Sequence, residues 1–301
     1  MKDLVVGIDI GGSHITVAVV DMEVRTVLPG SLIREKVDRF GTADAILDAW
    51  TGAIEQCLKR SSLCYPDAGI FDQYERLNIG IAMPGPFEYE SGISRIKGFD
   101  KYDSLYGLNI KKLLADRIGI NFHQILLKND AACFLDGELF AGAAKGAVEV
   151  LGVTLGTGFG TAFGRSGIAA DAALCETTFL DGRAEDYFST RWFIKAAKAI
   201  GNIDINGVMD LRQPDREVLA EKIFDRFSGN LALFFQLYLQ KYAFPDAVVI
   251  GGNIAQAHIY FLKPLIEKLK EVQIELNFKL AALGESAALI GAASLWQRKL
   301  A

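Results

Sequence analysis

The chain has 301 residues, half of them hydrophobic, and a formal net charge of −5. This length exceeds the usual single-domain range of roughly 50–250 residues, so we expect two domains. Its lysines and arginines are scattered along the chain, which argues against a nucleic-acid-binding surface. The longest apolar stretch, residues 231–239, is too short to span a bilayer, and we expect a soluble cytoplasmic protein that binds a small molecule rather than a membrane.

Two apolar strands joined by a glycine-rich turn open the chain, and the same pattern returns in the middle. The copies read LVVGIDIGGSHITVAVVD (residues 4–21) and VEVLGVTLGTGFGTAFGR (residues 148–165). Each predicts a β-hairpin. Two facing turns could bind a polyphosphate, with Asp9 holding Mg²⁺, because glycines at positive φ let bare N–H groups approach phosphate oxygens. The glycines concerned are Gly11, Gly12, Gly156, Gly158 and Gly160.

Strands and helices alternate between the two hairpins. Thr42 is the predicted N-cap of a helix whose apolar face covers a sheet. Residues 77–83 predict a buried strand that runs into Pro84-Gly85-Pro86, at the kind of strand end where α/β proteins place their sites. A helix over residues 108–118 then leads into the second domain, which begins with the strand ILLKND and a helix over residues 131–141.

The second half is rich in helix. We predict a helical region over residues 191–243, a strand over residues 247–250 that ends at Gly251-Gly252-Asn253, and a final helix over residues 285–299. No low-complexity linker separates the halves. The predicted domains are residues 1–112, completed by a C-terminal helix of residues 285–301, and residues 113–284, and we expect them to pack against a shared cleft.

Two common nucleotide motifs fail on inspection. The segment LGTGFGTAFG lacks the third glycine of G-x-G-x-x-G and continues into a strand rather than a helix, which excludes a dinucleotide-binding turn. Residues 137–142 have P-loop spacing, but Ala143 stands where that motif needs lysine. The cysteines show no C-x-x-C pair and, with three histidines, no zinc-ligand spacing.

The remaining motifs, taken in order, resemble those of a known class. They read DIGGSH, PGP, ND, GTGFG and GGNIA. Each is weak alone, but together they resemble the actin, hexokinase and Hsp70 class of ATP-binding proteins. The resemblance is strongest to the bacterial ROK family of sugar kinases, repressors and open reading frames, and it runs from Val5 to about Ala293.

This resemblance implies a fold and an activity. The fold would be a two-domain α/β, actin-like ATPase (ribonuclease H-like) fold, with ATP and sugar bound in the interdomain cleft. The activity would be Mg²⁺-dependent transfer of the γ-phosphoryl group of ATP to a hydroxyl of a hexose or N-acetylhexosamine. The family also suggests a homodimer.

The resemblance also implies site residues. Asp9 would serve Mg²⁺, usually through water, Asn129 would bind the sugar, and Asp130 would be the catalytic base. Phosphoryl transfer to a hydroxyl needs one such carboxylate, and Asp130 follows an apolar strand that would hold it rigidly. The residues implied to bind ATP are Gly11, Gly12, Ser13, Thr157, Gly158, Gly251, Gly252 and Asn253.

The sequence departs from the family around the expected sugar site. Family kinases carry a Glu-x-Gly-His segment and a cysteine-rich zinc loop, where this chain reads AALCETTFLDGRAEDYFST. Ala173 replaces the sugar-binding glutamate and Glu176 replaces the histidine, so Glu176 and Glu185 remain as sugar-binding candidates. We expect no structural zinc and poor use of glucose. The loop KGFDKYDSLYGLN (residues 97–109) also lacks the asparagine-rich sugar contact of the family.

Two alternatives to an active kinase stay open. Some family members are regulators, which carry an N-terminal helix-turn-helix, whereas this sequence starts at its first strand. The altered sugar loop also fits a non-catalytic protein that binds sugar without phosphorylating it.

Overall fold

The computed structural model describes residues 3–65, 77–239 and 244–297. Among these residues, no helix combines the length and apolar character needed to cross a bilayer. The strands are β1 Leu4–Ile10, β2 His14–Asp21, β3 Thr26–Val27, β4 Ile33–Lys36, β5 Ile79–Met83, β6 Phe87–Glu88, β7 Ile93–Ser94, β8 Ile125–Asn129, β9 Glu149–Leu155, β10 Phe159–Arg165, β11 Ile168–Asp171, β12 Thr178–Phe179, β13 Gly182–Arg183, β14 Ala247–Gly251 and β15 Phe278–Leu280. The helices are α1 Ala43–Cys64, α2 Ile110–Ile118, α3 Asp130–Phe140, α4 Ala184–Phe188, α5 Thr190–Gly201, α6 Glu217–Leu239, α7 His258–Glu271 and α8 Ser286–Ser294.

Each half of the chain builds one large sheet around one of the repeated hairpins, and both predicted hairpins are confirmed. The first sheet has the order β3-β2-β1-β5-β8, with β4 also paired to β2. The second has the order β11-β10-β9-β14-β15. In each sheet the first hairpin strand is antiparallel to its partner and parallel to the next strand inward. The carboxyl ends of the parallel strands therefore share one edge in each sheet, next to the glycine-rich turn.

Helices cover both faces of the first sheet. On one face α1 and α2 bury a core that includes Ile8, Val17 and Trp50. Thr42 caps α1 as predicted, because its side chain accepts a hydrogen bond from the Ala45 backbone N–H. On the other face α8 packs directly on β1 and β5, while α3 packs between α8 and the second sheet. The α3–α8 pair therefore forms the layer that joins the two sheets.

The strand Ile125–Asn129 lies in a different sheet from the one we predicted. It pairs in parallel with β5, so it completes the first sheet instead of opening the second. A boundary at residue 112 would cut this strand from its neighbours. We therefore propose that the halves divide at the junction of β8 and α3, with α8 completing the first half.

The predicted helices of the second half are present with shorter bounds. The region 191–243 contains α5 and α6, with residues 240–243 outside the described part of the chain. The final helix, predicted over residues 285–299, is α8, and residues 298 and 299 again lie outside the described residues. The second core is dominated by aromatic side chains of α5, α6 and α7, including Phe193, Phe227 and Phe261.

Candidate active site

The first sheet brings three predicted site segments to one edge. Asp9 of β1 lies opposite Ala82 of β5, and Met83 of β5 lies opposite Asn129 of β8. The turn of residues 11–13 follows β1 at the same edge, closed by a hydrogen bond of 2.9 Å from the Gly11 N–H to the His14 carbonyl. The predicted magnesium ligand, phosphate-binding turn and catalytic base are thus neighbours.

Asn129 and Asp130 stand at the start of α3. Asn129 is buried and caps the helix, since its Oδ1 accepts a hydrogen bond of 3.0 Å from the Ala132 N–H. Its Nδ2 donates to the Tyr89 hydroxyl at 3.4 Å, and that hydroxyl donates to the Met83 carbonyl at 3.1 Å. Asp130 is partly buried and accepts at Oδ1 from the Ala131 N–H at 2.9 Å. The end of β8, the cap of α3 and the partly buried Tyr89 therefore hold Asn129 and Asp130 in place.

Burial and neighbouring charges shift the pKa of two acidic side chains at this edge. Burial raises the pKa of Asp130, as does the nearby Asp171 carboxylate, whereas the Lys101 ammonium lowers it. Burial also raises the pKa of Asp9 to about 7, and Asp130 adds to that effect. Asp9 and Asp130 are therefore close enough to interact electrostatically.

The residues around Asp9 fit a magnesium ion held mainly by phosphate and water oxygens. Oxygen ligands suit Mg²⁺, which keeps several waters and uses one or two carboxylates besides substrate phosphates. Asp9 offers such a carboxylate in a region where Asp130 and Glu285 add negative charge. Within the described residues, no group of three or more His, Cys, Asp or Glu side chains forms an all-protein metal site.

The second glycine turn lies at the corresponding edge of the second sheet. The Gly156 N–H donates to the Gly158 carbonyl at 3.0 Å, and the Gly156 carbonyl accepts from the Thr190 N–H and hydroxyl at 2.8 and 2.9 Å. Thr157 is exposed at the tip of the turn. A Cβ on Gly158 would lie 3.3 Å from Oε2 of Glu185, so this predicted sugar-binding residue borders the turn.

The loop Gly251-Gly252-Asn253 leaves the second sheet beside this turn. Gly251 lies opposite Thr154 near the end of β9. Gly252 has φ +87°, and a side chain there would also clash with the Leu155 carbonyl, so glycine is required. Asn253 is exposed. The predicted β,γ-phosphate and adenosine segments are therefore adjacent.

The expectation of positive φ was wrong for the glycines of the two turns. None of Gly11, Gly12, Gly156, Gly158 and Gly160 has φ in the left-handed region. The feature they share is a missing side chain rather than an unusual backbone. At Gly156, for example, an added Cβ would meet no atom within 4 Å, so the turn faces open space that a phosphate could occupy.

The two predicted sugar-binding glutamates both pair with arginines. Glu176 is exposed and forms an ion pair of 3.1 Å with Arg183. Glu185 forms one of 2.6 Å with Arg191. The structure thus brings Asn129, Asp130 and Asp9 to one edge of the first sheet, while Glu176 and Glu185 are held in ion pairs with arginines.

Sequence reasoning noted the loop of residues 97–109 but missed the roles of Lys101 and Tyr102 within it. Tyr102 is fully buried, has φ +56°, and donates its hydroxyl hydrogen to the Gly11 carbonyl at 2.6 Å. This contact ties the loop to the first turn and carries Lys101 toward Asp130. The alternation of charged and aromatic residues in KGFDKYDSLYGLN was the available signal, since a buried tyrosine often holds a loop through its hydroxyl.

The chain is similar to known proteins along most of its length. The model of the ROK family matches residues 5–171. A glucokinase from Thermotoga maritima is 26% identical over 98% of both chains. The N-acetylgalactosamine kinase AgaK from Shewanella sp. is 26% identical over 96% of this chain and 95% of its own.

The solved structures establish the fold. A ROK family glucokinase from Streptomyces griseus, solved in complex with glucose and AMPPNP, matches with a TM-score of 0.72 and 23% identity over 97% of this chain and 98% of its own. A ROK hexokinase from Thermus thermophilus gives the same TM-score at 22% identity, over 99% of this chain and 100% of its own. These matches confirm the predicted actin-like ATPase fold.

Proposed function

Because the chain belongs to the ROK family, we propose that it is an ATP-dependent sugar kinase that transfers the γ-phosphoryl group to a sugar hydroxyl. The observation that carries this proposal is the meeting of Asp9 and Asp130 beside the first glycine turn. One carboxylate serves the metal and the other serves the acceptor hydroxyl, which are the two tasks that phosphoryl transfer assigns to acidic side chains.

Asp130 takes the proton of the attacking hydroxyl. A general base works best when its pKa lies closer to the working pH than that of an ordinary aspartate, and burial shifts Asp130 in that direction. The Asn129 amide, held by Tyr89 and by its own cap of α3, binds a neighbouring sugar hydroxyl. The acceptor is thereby oriented before transfer, which lowers the entropic part of the barrier.

The two glycine turns bind the phosphates of ATP. The backbone N–H groups of residues 12–13 and 157–158 approach the phosphate oxygens, and Gly251, Gly252 and Asn253 hold the adenosine side. A magnesium ion served by Asp9 would neutralise phosphate charge as the γ-phosphoryl group moves. Closure of the halves over both substrates excludes water and limits hydrolysis of ATP.

The acceptor is a hexose or an N-acetylhexosamine, and we propose that glucose is a poor one. Relatives named as glucokinase and as N-acetylgalactosamine kinase are similar to this chain to the same degree. Ala173 offers no hydrogen-bonding side chain, and Glu176 is paired with Arg183. A hydroxyl left unpaired in a desolvated site costs about 1–3 kcal/mol, so a sugar that relies on those positions binds poorly.

The test is an ADP-release assay over hexoses, N-acetylhexosamines and their epimers, with Mg²⁺ present and then removed by EDTA. We expect turnover of at least one sugar, with glucose a poor substrate, and loss of turnover in EDTA. Glucose as the best substrate would refute the proposed acceptor class. Sugar binding without any turnover would instead favour a non-catalytic sugar-binding protein.

A further inference from the structure

A row of three side chains crosses the first sheet beside the first glycine turn. Asp9 of β1 lies opposite Thr16 of β2, and Thr16 lies opposite Arg34 of β4. Residues directly opposite each other in antiparallel strands project from the same face of a sheet. Arg34 therefore projects from the face that carries the Asp9 carboxyl group.

This face is the one that α8 covers. Gly7, two residues before Asp9 and hence on the same face, packs against the α8 backbone at Leu289. The alternate residue Ile8 points into the core under α1 and α2. Arg34 thus lies on the side of the sheet that faces the second half of the molecule.

Glu285, the residue before α8, holds the Arg34 guanidinium. The Nη1 atom of Arg34 lies 3.1 Å from Oε2 of Glu285, with the two side chains 48% and 77% exposed. An ion pair this exposed contributes little to stability. The pair nevertheless lies beside the site, because Arg34 and Asp9 both neighbour Thr16 across the sheet.

We propose that Arg34 binds the phosphates of the nucleotide, and that Glu285 holds its guanidinium until the nucleotide displaces that carboxylate. The inference rests on the proposed function, since it adds a residue to the same nucleotide site. A guanidinium can offer paired N–H donors to phosphate oxygens as it does to a carboxylate. A cation here, in addition to magnesium, would offset repulsion between the triphosphate and the nearby carboxylates of Asp9 and Glu285.

Isothermal titration with Mg²⁺–AMPPNP and Mg²⁺–ADP tests this exchange by binding alone. Arg34→Gln should weaken binding of the nucleotides about five- to twentyfold, the loss of a partly exposed charge-assisted contact. Glu285→Gln should tighten binding about two- to fivefold, because the competing carboxylate is gone. The opposite directions of the two changes in affinity are diagnostic. If the ion pair had only a structural role, removing either partner would change nucleotide affinity in the same direction.

A matched control is the Lys198–Asp204 ion pair, with a separation of 2.9 Å and side chains 53% and 87% exposed. Lys198→Gln should leave both affinities unchanged. If Arg34→Gln does not fold, Arg34→Lys can replace it. This variant keeps the positive charge but lacks the planar guanidinium group, and it should weaken nucleotide binding about two- to fivefold.

The possible results separate the two proposals. Affinities within twofold of the unaltered protein in the Arg34 variants, or weaker binding in Glu285→Gln, would overturn the role of Arg34. Nucleotide binding by the unaltered protein in the same titrations would leave the proposed kinase function standing. An unaltered protein that binds neither nucleotide would overturn both.

Discussion

At the scale of single residues, we expect the proposed chemistry to depend most on Asp130. Asp130→Asn keeps the size and polarity of the side chain but removes its ability to take a proton. We expect turnover to fall about 10²–10⁴-fold, the usual contribution of a general base, with sugar affinity within a few-fold of the unaltered protein. Steady-state kinetics and a sugar titration measure the two quantities. Near-normal turnover in the variant would contradict the assignment.

The charges around Asp130 predict how activity depends on pH. The base must be ionised, so activity is present above its pKa and is lost as the pH falls through that pKa. Because burial raises the pKa of Asp130, activity should be lost at a higher pH than an ordinary aspartate would give. Lys101 lowers the pKa of Asp130 and Asp171 raises it. Lys101→Met should therefore move the acidic limb of the kcat/KM profile to higher pH, and Asp171→Asn should move it to lower pH. Shifts in one common direction would count against this arrangement.

The sequence predicted the placement of site residues where a short motif carried it. Asp9, Asn129 and Asp130 lie at the ends of apolar strands, and the ends of parallel strands meet at one edge whatever the details of the fold. Lys101 reaches the same site from a loop and Asp171 from the end of β11, and no local pattern encodes such proximity. The ion pairs of Glu176 and Glu185 could not be predicted either, because each depends on where an arginine lies in the folded chain.

At the scale of secondary-structure elements, the contact between α3 and α8 depends on small residues. A Cβ on Gly137 of α3 would overlap the carbonyl oxygen of Ala287 in α8, and one on Gly291 of α8 would overlap that of Cys133 in α3. The backbones therefore touch, and neither helix can give way cheaply because each also packs against a sheet. Packing at this distance fixes the position of Asp130, the first residue of α3, relative to the first sheet.

Gly137→Ala should consequently destabilise the protein by about 1–3 kcal/mol, the usual cost of overpacking. Gly52 is the matched control, since it lies in α1 and an added Cβ would meet nothing within 4 Å. Gly52→Ala should stabilise the protein by about 0.5–1 kcal/mol because alanine favours helix. Thermal and urea unfolding report both changes. Equal stability of the two variants would show that α3 and α8 are not in backbone contact.

Periodicity predicted the elements but not which sheet each strand joins. The apolar runs and turn residues located the hairpins, and the Thr42 cap is encoded within four residues. The strand Ile125–Asn129 was assigned to the wrong half because an apolar run carries no information about its pairing partner. The same limit explains why the glycines at the helix contact were not recognised, since close approach involves segments about 150 residues apart.

At the scale of the whole molecule, a buried ion pair connects the two halves to α3, the helix that begins with the proposed base Asp130. Asp136 of α3 is fully buried, and its Oδ2 lies 2.5 Å from the Nζ atom of Lys128 in β8. Its Oδ1 accepts a hydrogen bond of 2.8 Å from the Ala169 N–H in β11. One carboxylate therefore connects the last strand of the first sheet, the linking helix and the edge strand of the second sheet.

Breaking this connection should cost more than breaking any exposed ion pair. Asp136→Ala leaves the largely buried Lys128 ammonium and the Ala169 N–H without this partner, so we expect a loss of about 3–5 kcal/mol in the free energy of unfolding. Asp204→Asn, at the exposed pair with Lys198, should change it by less than about 1 kcal/mol.

The double variant Lys128→Met with Asp136→Asn should recover much of the stability lost in Asp136→Ala. It removes both charges at once, while the asparagine oxygen can still accept from the Ala169 N–H. Urea unfolding of Lys128→Met, Asp136→Asn and the double variant measures the coupling between the two side chains. Because the pair also orients α3, turnover should fall in Asp136→Ala and return in the double variant. A double variant no more stable than Asp136→Ala would mean that the fold needs the charges themselves, and not merely a filled and hydrogen-bonded space between the sheets.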